Sequence, residues 1–345
     1  MSVNIVTFHR EYNYGAMLQA YGLQEFIKQF DSEVGVYDYI APEIKSKITI
    51  KQRLLNFLCR LNKKDCQIRE GNYLHFCQTY LHLNCDLKRN VFVTGSDQVW
   101  NPSGAMDENY FLSFVPETAK KISYAASLGV EHIPEEKKEK FKQYIRDFSH
   151  ISVREECAKE CVGELWNKDI LVNIDPTLLH DKHFWTQIAK PVANIPENYI
   201  LVYLMHLPKN INQILKWLKK QTGNDVVVVD GQGAVQGVLT HLVHHDKAVH
   251  RAGPQEFVWL MEHAQCVVTS SFHGTAFSLI FEKEFYSVSN SPKSRIANIL
   301  NICGLTAITE KQLEFTRNSN IDWQKVSDVL NQERSKSRRY FEEAL

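Results

Sequence analysis

Residues 267–281, VVTSSFHGTAFSLIF, place a histidine between two apolar runs and directly before a glycine. The first run is typical of a strand and the second of a helix beginning near Gly274, so His273 is expected at the mouth of that helix. A helix N-terminus disfavours an imidazolium ion, whereas a bound anion favours it. The position suits a proton donor or acceptor near neutral pH, and a structural histidine at a turn is the alternative.

A second polar cluster, TGSDQVWNP at 94–102, follows the strand-like residues VFV. Carboxylate and amide oxygens accept hydrogen bonds from sugar hydroxyls, amide NH2 groups donate them, and an indole stacks on a pyranose face. This composition predicts a sugar site formed by Ser96, Asp97, Gln98, Trp100 and Asn101. The alternative is that Asp97 only caps a turn.

A third cluster, Asn13, Tyr14 and Gly15, follows the first predicted strand and leads into a helix. Glycine at this point would let the backbone approach a ligand, and the free N–H groups of the helix would favour an anion or a polar oxygen. A single glycine is not a dinucleotide-binding fingerprint, and an ordinary strand–helix turn has the same composition.

Alternating strand-like and helical runs must position these clusters. The first series begins with a strand at 3–8 and an amphipathic helix at 16–30, and a second series follows the proline-containing residues 181–199. The run DVVVVD has no polar alternation, as expected of a parallel strand covered on both faces. We therefore predict an α/β fold with two Rossmann-like domains facing a cleft, at 1–185 and 195–320, followed by a C-terminal helix at 321–345. Ligands bind beyond the carboxyl ends of such strands, where all three clusters lie.

The composition of the 345 residues excludes some classes of function. Apolar residues make up 44% and charged residues 23%, and 40 basic residues balance 40 acidic ones, so bulk charge does not favour a nucleic-acid partner. The N-terminus does not resemble a signal peptide and no apolar run is long enough to span a membrane, so we expect a cytoplasmic protein. The basic residues 45–70 are a candidate for peripheral contact with the inner face of the membrane, although a solvated helical face is favoured.

Neither the cysteines nor the histidines indicate a metal site. The eight cysteines contain no C-x-x-C pair and are expected to be free thiols. The segment HLVHHDKAVH at 241–250 spaces His241 and His245 four apart, but it lacks the glutamate of H-E-x-x-H and is better explained as a surface segment. We expect no metal and no cofactor.

Seven motifs in order resemble the polysaccharide pyruvyl transferase family, from about residue 3 to about residue 305. They are NYGAMLQAYGLQ, GSDQVWNP, SYAASLG, SVRE, DPTLL, GPQEFVWLMEHAQCVVTSSFHGTAFSLIF and KSRIANILNICGL. The resemblance implies a GT-B-like architecture and transfer of pyruvate from phosphoenolpyruvate to a hexose of a surface polysaccharide or its lipid-linked precursor. The product would be a cyclic ketal, with the 4,6-ketal of a galactose-type sugar favoured, and phosphate would be released.

The resemblance also implies roles for individual residues. His273 would transfer a proton, Asp97 would position or deprotonate the acceptor, and the N-terminal domain would hold the acceptor through Asn13, Tyr14, Gly15, Gln19, Ser96, Gln98, Trp100 and Asn101. The donor would lie beside Ser271, Gly274 and Thr275. Ser271 occupies the position where many family members have arginine, and a hydroxyl cannot replace a bidentate cation.

Three arginines are candidates to replace that missing cation: Arg295, Arg154 and Arg251. Two other functions remain open at this point. One is a GT-B glycosyltransferase that uses a nucleotide-sugar, because fold does not determine chemistry. The other is a non-catalytic glycan-binding protein.

Overall fold

The N-terminal part of the chain forms a parallel five-stranded sheet. The structure, a computed structural model, describes residues 1–30, 33–40, 63–231, 242–312 and 314–345. The strand order is β3-β2-β1-β4-β5, with β1 (Ser2–Val6), β2 (Glu33–Tyr37), β3 (Leu83–Asn84), β4 (Val91–Thr94) and β5 (Lys120–Ser123). Two further parallel strands, β6 (Ile151–Val153) and β7 (Ile170–Val172), continue beyond β5 through the bridges Ile122–His150 and Ala126–Val153.

The second sheet repeats the order of the first. It runs β10-β9-β8-β11-β12, with β8 (Tyr199–Tyr203), β9 (Asp225–Val229), β10 (Lys247–Val249), β11 (Cys266–Thr269) and β12 (Glu284–Ser287). Numbered within each sheet, both orders are 3-2-1-4-5, so strand order reverses between β1 and β4 and between β8 and β11. The valines of β9 are all buried, as predicted for a strand covered on both faces. We call the two parts that carry these sheets the N-terminal and C-terminal domains.

Helices cover the sheets, and two of them begin or end where a proline or a glycine in the sequence predicts. Helix α6 (Ile211–Thr222) ends at Gly223, whose φ of 72° is the left-handed conformation that glycine adopts without strain. Helix α7 (Pro254–His263) has Pro254 in its first turn. The helices are α1 (Tyr14–Ile27), α2 (Lys63–Tyr80), α3 (Glu135–Ile145), α4 (Glu156–Gly163), α5 (Lys182–Thr186), α6 (Ile211–Thr222), α7 (Pro254–His263), α8 (Phe272–Ile280), α9 (Arg295–Ile302) and α10 (Trp323–Ala344), with single 3-10 turns at Glu108–Phe111 and Pro176–Leu179.

A continuous hydrophobic core joins the two domains. Tyr14 of α1 stacks on Phe257 of α7, with ring centroids 4.5 Å apart. Helix α10 returns to the N-terminal domain, where the Tyr340 hydroxyl donates to the Ser123 carbonyl at 2.5 Å and Arg334 Nε donates to the Leu178 carbonyl at 2.8 Å. The C-terminal helix therefore ties the chain back onto the first sheet.

Two sequence predictions fall partly outside the described residues. Of the basic stretch 45–70, residues 45–62 lie outside them and the remainder begins α2. His241 also lies outside, whereas the ring of His245 contacts the Val243 carbonyl. Across the described ranges, no helix combines the length and apolar character needed to cross a membrane, and no three potential metal-binding side chains group together.

Candidate functional site

A cleft of about 600 Å³ opens at the carboxyl ends of both sheets. Its walls come from the segments after β1, β4, β5 and β6 in the N-terminal domain and after β8, β11 and β12 in the C-terminal domain. The points where strand order reverses in the two sheets therefore face the same space, which is where ligands bind in open α/β sheets.

His273 lies in the first turn of α8 and lines this cleft. The helix begins at Phe272, two residues before the predicted start, because Ser271 is its N-cap and the Ser271 hydroxyl accepts from Gly274 N. Gly274 has no room for a side chain, since a Cβ there would come within 2.2 Å of Thr269 Oγ1. The run T-S-S-F-H-G thus presents the imidazole at the helix N-terminus.

The imidazole packs against the backbone of the other domain. A Cβ on Gly15 would lie 1.9 Å from His273 Nδ1 and 2.2 Å from Cγ. The sequence predicted that Gly15 lets the backbone approach a ligand, but the structure shows that Gly15 makes room for His273. The side chain of Asn13 caps α1, the helix that contains Gly15, by accepting a hydrogen bond from Gly15 N at 2.9 Å.

On its other side the ring faces the buried carboxylate of Asp175, with His273 Nε2 3.7 Å from Asp175 Oδ2. Arg154 donates to the same oxygen at 2.6 Å. Burial alone would raise the pKa of Asp175, but the neighbouring His273 and Arg154 hold it well below its ordinary value. The site therefore contains a fixed negative charge beside the imidazole.

Arg154 is buried and binds protein carboxylates through two of its nitrogens, whereas its NH2 forms no hydrogen bond within the described residues. Besides Asp175, its Nε donates to Glu155 Oε1 at 3.1 Å, and its guanidinium lies 4.6 Å from the centre of the Phe272 ring. Burial would lower the pKa of Arg154, but the surrounding carboxylates raise it. This arginine lies behind the cleft wall and neutralises buried acids.

Asp97 lines the cleft in a left-handed conformation, with φ of 60°. Its side chain accepts from Gln98 N at 2.9 Å, as the turn-capping alternative predicted, and its carbonyl accepts from Ser127 N at 2.9 Å. Asp97 Oδ1 also lies 3.7 Å from Arg295 NH1. The carboxylate is therefore held by its own turn and faces a cation from the opposite domain.

The loop between β12 and α9 forms a cationic wall of the cleft. Arg295 begins α9, and its side chain is 28% exposed. Burial, and after it the nearby Arg154, lower the pKa of Arg295, so an anion bound beside it would stabilise its charged form. Lys293 is exposed in the same loop, and the Ser294 hydroxyl caps α9 by accepting from Ala297 N at 3.1 Å. Together with the N-termini of α8 and α9, these groups can bind phosphate or carboxylate.

The family model described as polysaccharide pyruvyl transferase matches residues 13–292. The chain belongs to this family. It is accordingly a transferase enzyme of polysaccharide biosynthesis, as the seven motifs predicted. No curated protein matches the chain significantly.

Solved structures with the same architecture include the UDP-GlcNAc 2-epimerase from Methanocaldococcus jannaschii in complex with UDP-GlcNAc and UDP. It is 11% identical to this pyruvyl transferase family member, with a TM-score of 0.51 over 97% of this chain and 94% of that one. A second UDP-N-acetylglucosamine 2-epimerase is also 11% identical, with a TM-score of 0.50 over 100% of this chain and 90% of the other. At this identity the likeness shows the fold alone, and the predicted GT-B-like α/β fold is confirmed.

Six of the predicted site residues line the cleft of this family member. They come from the segments that follow four different strands, which the fold brings together: Asn13, Asp97, Gln98, Ser271, His273 and Arg295. With its amide oxygen turned toward Arg295, Gln98 accepts from Arg295 NH2 at 2.6 Å. Asn101 contacts the Gln98 amide from outside the cleft lining.

Two predicted acceptor-binding aromatic residues are instead core residues. Trp100 is fully buried, its indole stacks on Phe111 at 5.4 Å, and its Nε1 donates to the Tyr110 carbonyl. Tyr14 is fully buried as well, and its hydroxyl donates to the Asp230 carbonyl at 2.7 Å. The predictions that these two side chains bind sugar are wrong, because neither ring reaches solvent.

Three polar residues that were predicted to bind substrate instead form hydrogen bonds within the protein. Gln19 is buried and accepts from Ser96 N at 3.2 Å, while Ser96 Oγ donates to Asp175 Oδ2 at 3.1 Å. Thr275 is buried and donates to the Ser271 carbonyl at 3.0 Å. Their hydrogen-bonding groups are consumed by the protein, so the assignments to acceptor and donor binding are corrected.

The three candidate arginines are separated by their surroundings. Arg251 is exposed and pairs with Asp65 of α2 at 2.6 Å, away from the cleft lining, so it does not replace the family arginine. Arg154 is buried behind the cleft wall and pairs with Asp175 and Glu155. Among the described candidates, Arg295 is the arginine that reaches the cleft surface.

Among the site residues that sequence reasoning missed are Glu11, Asp175, His206 and Lys293. Partial desolvation and the nearby charge of Asp97 raise the pKa of Glu11. Asp175 follows β7 in DPTLL, and Lys293 lies two residues before Arg295. Applying the strand-end rule to every predicted strand would have found Asp175.

Proposed function

We propose that this enzyme transfers pyruvate from phosphoenolpyruvate to a hexose of a surface polysaccharide or its lipid-linked precursor, at the inner face of the membrane. The 4,6-ketal of a galactose-type sugar is the proposed product. The observation that carries the proposal is the imidazole of His273 beside a wall of cations and helix N-termini, in a chain of the pyruvyl transferase family.

The donor carries phosphate and carboxylate groups, which match the positive wall. Arg295 can bind either group through two parallel N–H donors, and Lys293 adds a mobile positive charge. The N-termini of α8 and α9 add backbone N–H groups that need no counter-ion. This wall supplies the anion binding that the family arginine would provide at position 271.

The reaction proceeds by proton transfer to carbon. The imidazolium of His273 donates its proton to the methylene carbon of the donor, which leaves an oxocarbenium centre at the adjacent carbon. A sugar hydroxyl attacks that centre and loses its proton to Asp97. The bond from carbon to the phosphate oxygen then breaks, and phosphate leaves with the electron pair and takes the proton held by Asp97. A second hydroxyl attacks the new oxocarbenium centre and gives its proton to the now neutral His273, which closes the ketal and restores the imidazolium.

Phosphate release from phosphoenolpyruvate, measured against a panel of sugars with mass spectrometry of the products, tests this function. General acid–base catalysis typically contributes about 10²–10⁴-fold, so His273→Ala should reduce kcat by at least about two orders of magnitude. His263→Ala is the matched control, since that histidine is exposed on α7 outside the cleft lining and should leave kcat unchanged. Near-normal turnover in His273→Ala would reject the assignment.

The nucleotide-sugar alternative is tested in the same preparation by thermal denaturation. Ligands that bind the folded state raise its Tm in proportion to the logarithm of their concentration over Kd. Stabilisation by phosphoenolpyruvate but not by UDP supports the pyruvyl transfer. The reverse pattern supports a glycosyltransferase, and sugar binding without phosphate release supports a glycan-binding protein.

A further inference from the structure

We propose that Asp175 is a positioning residue that holds the imidazole of His273 in its reactive orientation and stabilises its protonated form from the opposite domain. Its effect on turnover rests on the proposed function, whereas its effect on the imidazole does not. Asp175 was not among the residues predicted from the sequence, and it acts through His273 rather than on the substrate.

The carboxylate of Asp175 is immobilised by hydrogen bonds to both oxygens. Oδ1 accepts from Thr177 N at 3.0 Å and from Thr177 Oγ1 at 2.8 Å. Oδ2 accepts from Arg154 NH1 at 2.6 Å and from Ser96 Oγ at 3.1 Å. With the side chain fully buried, the charge of Asp175 has one position.

The ring nitrogen that faces Asp175 lacks any other partner. His273 Nε2 is buried and forms no hydrogen bond with the described part of the chain. Its distance of 3.7 Å from Asp175 Oδ2 is about 0.8 Å longer than a charge-assisted hydrogen bond. Because a buried donor without a partner is costly, a small closure of the cleft that forms this bond is favoured.

The contact crosses between the two domains. His273 follows β11 of the second sheet, whereas Asp175 follows β7 and Gly15 lies in α1, both in the N-terminal domain. Residues of the N-terminal domain therefore contact and orient an imidazole that belongs to the C-terminal domain. Proton donation by His273 then requires both domains in contact.

Other charges near the imidazole do not replace Asp175. Arg154 shares Asp175 Oδ2 and opposes an imidazolium, but Glu155 offsets its charge at 3.1 Å. The remaining titratable or charged groups that line the cleft come from the segments after β1, β4, β5, β6, β8 and β12: Glu11, Asp97, Glu131, Cys157, His206, Lys293 and Arg295. Within the described residues, the ion pair of the imidazole is with Asp175.

The first test determines which nitrogen of His273 carries the proton in the unsubstituted protein. Histidine labelled with ¹⁵N distinguishes the two tautomers by NMR, and loss of one signal in His273→Ala assigns the resonance. Asp175 can only accept from a protonated Nε2, so Nε2 should carry the proton of the neutral ring. A neutral ring with its proton on Nδ1 would overturn the inference. This measurement needs no turnover, so absence of phosphate release would refute the proposed function alone.

The second test is kinetic and uses Asp175→Asn, which keeps the size of the side chain and its capping oxygen. Loss of the negative charge destabilises the imidazolium, so kcat should fall at least about tenfold with little change in donor KM. The limb of the pH–rate profile on which activity falls with rising pH should move to lower pH, because the imidazolium is lost earlier. An unmoved limb in a folded Asp175→Asn protein would overturn the inference.

Thr177→Val is the matched control for structural damage. It removes a hydrogen bond to Asp175 Oδ1, leaves the charge and Oδ2 in place, and preserves side-chain shape. It should lower stability without moving the pH limb. Asp175→Glu restores the charge, and the limb should return toward its original pH. If Asp175→Asn fails to fold, the NMR measurement of the His273 tautomer in the unsubstituted protein still tests the inference.

Discussion

Substituting Gly15 with alanine tests the contact on which the site geometry depends. The new Cβ would lie 1.9 Å from His273 Nδ1, whereas unstrained contacts between such atoms are about 3.5 Å. The imidazole would therefore move by about 1.6 Å. Because a displacement of 1 Å can cost about 10²-fold in rate, kcat should fall by roughly two orders of magnitude.

The fold should survive this substitution. Overpacking typically costs about 1–3 kcal/mol, and replacing glycine by alanine in a helix returns up to about 1 kcal/mol. The sum is small beside the typical stability of about 5–15 kcal/mol. Gly71→Ala is the matched control, because Gly71 lies in α2 and nothing approaches its missing Cβ within 4 Å. It should retain full activity.

Phosphate release and calorimetric Tm measure the two effects, and a double mutant separates them. In the His273→Ala background the ring is gone, so adding Gly15→Ala should cost no stability and no further activity. Wild-type kcat and unchanged Tm for Gly15→Ala alone would refute the reasoning. An equal loss of stability in both backgrounds would show that the strain arises elsewhere.

Three further predictions address the donor wall, the core and the pH dependence of stability. Arg295→Ala should raise donor KM at least about tenfold with little change in acceptor KM, whereas Arg251→Ala should change neither; steady-state kinetics with equal effects on both substrates would contradict the assignment. Trp100→Ala should lower the free energy of unfolding by about 3–5 kcal/mol in urea denaturation, and a selective rise in acceptor KM at full stability would show that the indole binds sugar. Burial lowers the pKa of His180 to about 4, so the unfolded state binds its proton more readily: this contribution to stability is complete above pH 6.5 and about 3 kcal/mol of it is lost as pH falls to 4. The glutamine of His180→Gln cannot titrate, so the free energy of unfolding of this variant should decline less steeply between pH 7 and pH 4.5 than that of the unsubstituted protein. An identical decline in both proteins would show that His180 is not the cause.

Sequence pattern was sufficient to predict the α/β fold, and it also predicted the edge of each sheet at which the candidate site lies. The buried valines of β9 and the glycine that ends α6 act through local backbone preference and burial, so their positions follow from neighbouring residues. The carboxyl ends of parallel strands necessarily meet at one edge of their sheet, so Asn13 and Asp97 could be placed together at the first sheet and His273 at the same edge of the second before the structure was known.

Which of the grouped residues face the cleft was decided by tertiary contacts. Gln98 and Trp100 are two residues apart, yet Gln98 lines the cleft and Trp100 packs on Phe111. The sequence does not distinguish the three candidate arginines from one another. They differ in the carboxylates with which they pair in the folded protein, and Arg154 pairs with Asp175. The position of the His273 ring also depends on tertiary contacts, because the ring packs against Gly15 and faces Asp175, which lie in distant parts of the chain. Local sequence specifies the elements because backbone preferences act between neighbours, whereas exposure and charge pairing depend on residues that only folding brings together.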